Sequence, residues 1–370
     1  MERTLEPRYY VSEATFDAER ERLWARQWVL VGRDDALTRS GDRMLVDVAG
    51  SSVVVVRGDD ETGGGVLRGF HNVCRHRGAE LLDTGGLTPA DLPACGSFGS
   101  VIKCPYHSWA YGLDGTLRHA PFVDRVDAGE LAGVRLHPVA VDTWGGFVFV
   151  HLGQPEQTLA EQIGAVAGRT ARYPLADLRV GLTLRYEVAA NWKVLAENYN
   201  ECYHCGPVHP ELCDLVPAFR RGGDGLEWPD GIPHRDGAWT FTTTGTTNRA
   251  PFPGLDDAER VRHKGELVYP NLLLSLSADH VAAFRLEPRG PAHTTVVCEL
   301  LFHPEAIADA GFDPSDAGDL WHLVNLQDWA ICESVQRGMS SPAWTGGWMA
   351  PTEDAAAEIT RWYLPLMEQA

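Results

Sequence analysis

Four side chains with metal-binding chemistry stand in two short mixed pairs, Cys74-Arg75-His76 and Cys104-Pro105-Tyr106-His107. Each pair offers one thiolate and one imidazole. On a [2Fe-2S] cluster one iron can take both thiolates and the other both imidazoles, and replacing two charged thiolates with neutral ligands raises the reduction potential. Such a centre relays single electrons. A structural zinc ion also accepts Cys2His2, but finger-type spacings place the two Cys together and the two His together. The mixed pairing favours the cluster over zinc, and over purely structural roles for the four residues.

A second set lies further along. Trp192 to Cys205 reads as a helix, broken by Gly206-Pro207 before His209. On that helix Glu197, Glu201 and His204 stand at i, i+4 and i+7 and share a face. Trp192, Leu195 and Tyr199 imply that the helix is buried, where ionisable groups need partners or a metal. A carboxylate is available from a helix capped by Ser315 and running to about Arg337, with Gly338 placed to end it. There Asp328 follows Val324 by four residues on a stripe of Leu320, Val324, Ile331 and Val335. His204, His209 and Asp328 would make a facial triad, leaving adjacent positions on Fe(II) for dioxygen and substrate. The competing reading is an Asp paired with a buried Arg. Cys202-x2-Cys205 with Cys213 lacks a fourth ligand and reads as packing around this site. His119, His137, His263 and His322 read as surface or hydrogen-bonded core residues without a role.

These residues must be positioned by elements of two kinds. Ser12 can cap a helix from about Glu13 to Gln27. Short β-like runs follow at Met44–Val48, Ser52–Arg57 and Gly146–His151, divided by Gly- and Asp-rich turns, and this small β domain encloses both Cys/His pairs. Gly153-Gln154-Pro155 opens a polar stretch, so the expected division is 1–40, an N-terminal helical segment packing on the second domain; 41–155, the cluster domain; and 156–370, the iron domain. In the last, Leu182–Val188, Trp239–Thr244, Leu272–Ser277, Val281–Leu286 and Thr294–Phe302 read as strands, and runs of strands followed by helices indicate an α+β fold with antiparallel sheet. Arg220 to Asp236 reads as a long loop and a candidate lid.

The chain has 370 residues, enough for two domains. Its formal net charge of −19, with no Lys/Arg-rich run, disfavours nucleic acid and anionic membrane as partners. Residues 1–10 carry charges and a proline instead of an apolar signal core, and no apolar run approaches about 18 residues, so a cytoplasmic protein is expected. Eight cysteines then read as metal ligands or buried thiols, not as a disulfide framework.

Arg68-Gly69-Phe70-His71-Asn72-Val73-Cys74-Arg75-His76-Arg77-Gly78 and Lys103-Cys104-Pro105-Tyr106-His107-Ser108-Trp109 resemble the Rieske non-haem iron oxygenase α-subunit family, of the aromatic-ring-hydroxylating type. The resemblance continues in Glu197-Asn198-Tyr199-Asn200-Glu201-Cys202-Tyr203-His204-x4-His209, in Tyr269-Pro270-Asn271-Leu272, in Glu299-Leu300-Leu301-Phe302-His303-Pro304 and in Gln327-Asp328-x4-Glu333-x2-Gln336-Arg337-Gly338. One departure is the 27-residue gap between His76 and Cys104, where Leu92 to Ser100 looks like an inserted loop carrying Cys95.

The resemblance implies a small all-β Rieske domain and a helix-grip-like catalytic domain. It implies cluster ligands Cys74, His76, Cys104 and His107, and mononuclear iron ligands His204, His209 and Asp328. Glu201 stands where the family has an acid that bridges this iron site to a cluster ligand of the neighbouring subunit. Glu in place of the commoner Asp resembles the branch that oxidises quaternary ammonium compounds such as carnitine or glycine betaine. The implied reaction uses O2 to hydroxylate or demethylate a small molecule. NAD(P)H electrons would come through a separate flavin/iron-sulfur reductase, since the chain has no Gly-x-Gly-x-x-Gly after a strand and no four-Cys ferredoxin pattern. A homotrimer is implied. An aromatic cage for a cation could draw on Tyr203, Trp228, Trp239, Phe241 and Phe252, with Asn198 beside it. The alternatives are an aromatic-ring hydroxylase and a Rieske electron carrier without catalysis.

Overall fold

The computed structural model describes residues 1–59, 65–87, 91–123, 131, 133–223, 225 and 228–368. It divides into two compact units, Trp24–Glu161, and Met1–Leu23 with Gln162–Ala370.

The first unit is built on a seven-stranded sheet of order β1-β10-β9-β4-β3-β2-β5. The strands are β1 (Val29–Arg33), β2 (Asp42–Val48), β3 (Ser51–Gly58), β4 (Val66–His71), β5 (Ala94–Ser97), β9 (Pro138–Trp144) and β10 (Phe147–His151). Val53 to Val56 are all fully buried, as a run of β-branched residues at the centre of a covered sheet should be. Beside it lies a three-stranded sheet, β6 (Val101–Lys103), β7 (Ala110–Gly112) and β8 (Leu117–His119).

Two expectations change here. Residues 24–40 belong to this unit, because β1 pairs with β10 (Arg33 opposite Phe147, Val29 opposite Val150); only residues 1–23 group with the second unit. The Leu92–Ser100 insertion is not a free loop, since β5 adds to the edge of the sheet against Asp42–Leu45 and leaves Cys95 exposed opposite Met44.

The second unit carries an antiparallel six-stranded sheet of order β11-β16-β15-β14-β13-β12. These are β11 (Arg179–Val188), β12 (Ile232–Pro233), β13 (Arg262–Val268), β14 (Leu272–Leu276), β15 (His280–Gly290) and β16 (His293–Phe302). Five helices matter to the site: α1 (Glu13–Glu19), α2 (Trp192–Tyr199), α3 (Pro210–Leu215), α4 (Ser315–Met339) and α5 (Asp354–Glu368). No helix among the described residues is long and apolar enough to cross a membrane.

Local chemistry sets the helix limits. Ser12 caps α1, accepting from the Thr15 amide at 3.3 Å, but the α-helix stops at Glu19 and a π-turn follows, short of Gln27. Asp313, not Ser315, accepts from the first amide of α4 (2.9 Å), and α4 runs one residue past Gly338. Its buried face is Leu320, Trp321, Val324, Asn325, Cys332 and Gln336, whereas Ile331 and Val335 are over a third exposed. Trp239–Thr244 is a turn and not a strand, because Thr240 and Thr242 spend their hydroxyls on Asp279 and the Thr246 carbonyl.

The start of α2 is anchored by a buried ion pair. Lys193 Nζ meets Glu19 of α1 at 2.5 Å, among the rings of Tyr10, Trp192 and Tyr363 at 5.0 to 5.9 Å. Trp192 Nε1 and the Tyr363 hydroxyl also donate to Glu19, so α1, α2 and α5 meet at one carboxylate.

Candidate active site

In the first unit the two Cys/His loops fold alike. Gly78 N donates to the Cys74 carbonyl and Ser108 N to the Cys104 carbonyl, both at 3.1 Å. Each closing residue sits at positive φ (Gly78 +76°, Ser108 +59°), and Gly78 bears no Cβ to resist it. The thiols point inward and are buried, with Cys74 Sγ 3.2 Å from the Tyr111 hydroxyl, and burial raises the Cys74 thiol pKa. The imidazoles lie toward the surface with ring centroids 4.8 Å apart, and His76 stacks on Trp109.

The Nδ1 of His107 is buried with no hydrogen-bond partner among the described residues, which leaves a lone pair or proton to be satisfied. In the second unit one ligand atom each of His204, His209 and Asp328 lies within 4.8 Å of the others, close enough to share one ion. The Cys/His set is tested instead by the chemistry of its donors. Two buried sulfur donors and two outer nitrogen donors suit a [2Fe-2S] cluster better than zinc.

In the second unit the helix expected through Cys205 ends at Tyr199, so Glu197, Glu201 and His204 do not share one helical face. The polar side chains that follow compete for the backbone. The Glu201 carboxylate accepts from the Tyr203 amide and from the His204 amide (3.3 Å), which turns the chain and re-aims His204. A short helix, Cys205–Val208, then delivers His209 to the start of α3. Cys202 and Cys205, expected as thiols, are joined in a disulfide that spans His204; Cys74, Cys95, Cys104, Cys213, Cys298 and Cys332 are in no disulfide among the described residues.

The Nε2 atoms of His204 and His209 lie 3.3 and 2.9 Å from Asp328 Oδ1. Their other nitrogens are also held, His204 Nδ1 by Glu201 Oε1 (2.5 Å) and His209 Nδ1 by Gln327 Oε1 (2.8 Å). Gln327 in turn donates to Glu211. An oxygen acceptor at each Nδ1 fixes the tautomer that leaves Nε2 free to bind a metal. Burial pulls the His204 pKa down, but the hydrogen bonds and charges of Asp328 and Glu201 outweigh it and push it up to about 9. The folded site thus attracts positive charge, a demand that a divalent cation meets without a proton.

A cavity of roughly 550 Å³, mouth included, opens beside the triad. Of the expected lining residues, Asn198, Trp228 and Phe241 face it, while Tyr203, Trp239 and Phe252 do not. Tyr203 sits on the re-aimed turn and is 57% exposed; Phe252 is buried against Tyr173. The sequence reading missed Tyr199, Phe219, His263, Ser275 and Trp321, which also line the cavity. Phe219 stacks with Trp228 at 5.9 Å, and Phe241 with Trp321 at 5.5 Å. His263 lies 3.9 Å from Phe241, and burial together with His234 and His280 holds its imidazole well below the usual range, hence neutral. A usable signal existed. His263 and Gly265 alternate on β13, and Trp321, Val324 and Asp328 stand at i, i+3 and i+7 on α4.

Residues 175–369 match the family described as ring hydroxylating alpha subunit (catalytic domain), and residues 27–135 match the Rieske [2Fe-2S] domain. The chain belongs to the ring-hydroxylating α-subunit family and is the oxygenase component of a Rieske non-haem iron system, an oxidoreductase that incorporates O2. It is 28% identical to the glycine betaine monooxygenase oxygenase subunit of Chromohalobacter salexigens, over 97% of this chain and 84% of the relative. It is 36% identical to the carnitine monooxygenase oxygenase subunit of Acinetobacter pittii, over 56% of this chain and 53% of that one. The quaternary ammonium Rieske monooxygenase CntA in complex with L-carnitine superposes with a TM-score of 0.75 at 25% identity, covering 99% of this chain and 96% of that structure. The family's cofactors are a Rieske cluster and a mononuclear iron.

Proposed function

We propose that Cys74, His76, Cys104 and His107 hold the cluster, that His204, His209 and Asp328 hold the mononuclear iron, and that the substrate is a small quaternary ammonium or N-methyl compound. When bound, the iron activates O2 and the cluster passes electrons singly. The observation that carries the substrate reading is the cavity wall: facing the triad are two stacked aromatic pairs, Phe219–Trp228 and Phe241–Trp321. Aromatic faces attract a methylated ammonium ion, which cannot donate a hydrogen bond to a polar anchor.

In this account the aromatic walls orient an N-methyl group toward the triad. Glu201 keeps His204 aligned by accepting a hydrogen bond from its Nδ1–H. Hydroxylation of an N-methyl group consumes O2, two electrons and two protons. The N-hydroxymethyl ammonium product then splits to a tertiary amine, formaldehyde and a proton, with one water formed overall. The electrons come from NAD(P)H through a separate flavin/iron-sulfur reductase. A homotrimer, with Glu201 facing a cluster ligand of the next subunit, accords with the apolar surface of α4, where Leu323, Leu326, Ile331 and Val335 are 37 to 48% exposed.

Metal analysis tests the ligand assignment. The reconstituted protein is expected to hold about three irons per chain. Asp328→Ala is expected to hold about two, with the cluster's visible spectrum kept and turnover abolished. Loss of that spectrum in Asp328→Ala, or zinc in place of iron in the wild type, would overturn the assignment.

A further inference from the structure

We propose that Arg249, Asp279 and His280 form a buried positioning relay that holds the Trp321 indole as the specificity-determining wall of the cavity. The inference rests on the cavity being the substrate site, and it concerns which substrates fit.

The relay is read from hydrogen bonds that leave little choice. An indole N–H can only donate, and Trp321 Nε1 donates to His280 Nε2 at 3.0 Å. That nitrogen must be bare, so His280 carries its proton on Nδ1 and donates it to Asp279 Oδ1 at 2.9 Å. Asp279 is fixed by the Thr240 hydroxyl on Oδ1 and by Arg249 Nε on Oδ2 (2.8 Å). Arg249 pairs with Asp316 at 2.8 Å, in the first turn of α4. The chain of contacts thus leaves α4 at Asp316 and returns to it at Trp321.

These groups are deeply buried: His280 is 0%, Asp279 1% and Trp321 5% exposed. Burial raises the Asp279 pKa, but His280, Arg249 and Thr240 outweigh it and hold the carboxyl well below its ordinary range, so the anchor stays charged. Ion pairs withdrawn from water this far are poor stabilisers compared with well-packed apolar side chains. A role in placing Trp321 accounts for them better than stability does.

The ring is also held sideways, stacked on Phe241 at 15° between planes and edge-on to Phe284 at 5.8 Å. Its position matters because it borders two spaces. Trp321 lines the main cavity and also a neighbouring one of about 380 Å³, mouth included, walled by Leu195, Phe284, Leu286 and Trp329; Asn198, Tyr199, Val324 and Asp328 border both. Trp321 lies seven residues from Asp328 on α4, about 10 Å along the axis, and its indole stands in the wall that the two spaces share. Shrinking or releasing it would join the two spaces and admit larger ligands.

The test uses the iron-loaded chain, titrated calorimetrically with tetramethylammonium and benzyltrimethylammonium, with KM, kcat and product formed per O2 where turnover occurs. Trp321→Phe, which lacks the N–H, and Asp279→Asn, which does not line the cavity, are each expected to shift the affinity ratio toward the benzyl compound by about tenfold. Both should raise KM for the smaller ion more than they change kcat. The double variant should shift the ratio no further than Trp321→Phe alone, since both act through one ring. An unchanged ratio in Trp321→Phe, or full additivity in the double variant, overturns the relay. If Asp279→Asn does not fold, Thr240→Val, which removes the hydroxyl on Asp279 and does not line the cavity, takes its place in the cycle. Failure of the wild type to bind either ion would refute the ammonium reading instead. The relay would then be judged by the same ratio for toluene and naphthalene.

Discussion

Replacing Trp228 with Leu separates charge recognition from simple packing. Trp228 lies against Phe219 at 5.9 Å and faces the cavity, so the substitution removes a π-face while keeping an apolar side chain. A cation over such a face gains about 0.5 to 2 kcal/mol, and a factor of ten in affinity is about 1.4 kcal/mol. Trp228→Leu should therefore weaken a trimethylammonium ligand by roughly 2- to 30-fold. The control is a ligand of the same shape without charge: 3,3-dimethylbutanol replaces the nitrogen of choline with carbon and loses only contact area. Calorimetric titration of both ligands into wild type and variant gives a cycle in which packing cancels. The expected coupling is a clear excess loss for choline. Equal losses for the two ligands would refute the cage and leave Trp228 as packing alone.

Two further predictions concern the scaffold. Lys193→Met leaves Glu19 buried without its cation, and denaturant unfolding should show a loss of about 3 to 5 kcal/mol, largely recovered in Glu19→Gln/Lys193→Met; an unaltered midpoint in the single variant would contradict the account. Burial pushes the Glu197 carboxyl from 4.5 up to about 7, against the opposing hydrogen bond from Tyr10 (2.7 Å). The folded chain then binds the proton that the unfolded chain has lost, so this group's contribution to stability falls as pH rises from 4.5 through about 7. Glu197→Gln should flatten that part of the stability profile, and an unchanged slope would count against it.

The proposed metal donors stand out in the sequence because their signal is local: Cys-x-His, Cys-x2-His and the two histidines around Gly206-Pro207 need only side-chain chemistry and spacing. The path of the chain between them does not. Helix α2 stops at Tyr199 because Glu201 captures two backbone amides, and helical periodicity takes no account of that competition. The long-range pairings were hidden for a related reason. That β1 joins β10 across more than a hundred residues, and that Leu92–Ser100 supplies an edge strand, are facts of tertiary pairing with only short apolar runs to announce them. The α4 stripe was misread by choosing Ile331 and Val335, which are exposed, over Trp321 and Cys332, which are buried. The aromatic candidates failed where a residue's direction was decided by a turn, as at Tyr203 and Trp239.

The central claim is best tested by oxygen uptake with a coupled reductase and a panel of betaines, carnitine, choline, tertiary amines and simple aromatic acids, with formaldehyde and hydroxylated products followed by mass spectrometry. The account predicts that one ammonium compound drives O2 consumption with formaldehyde formed in about equal amount. A hydroxylated arene without formaldehyde, and no uptake with any ammonium compound, would contradict it.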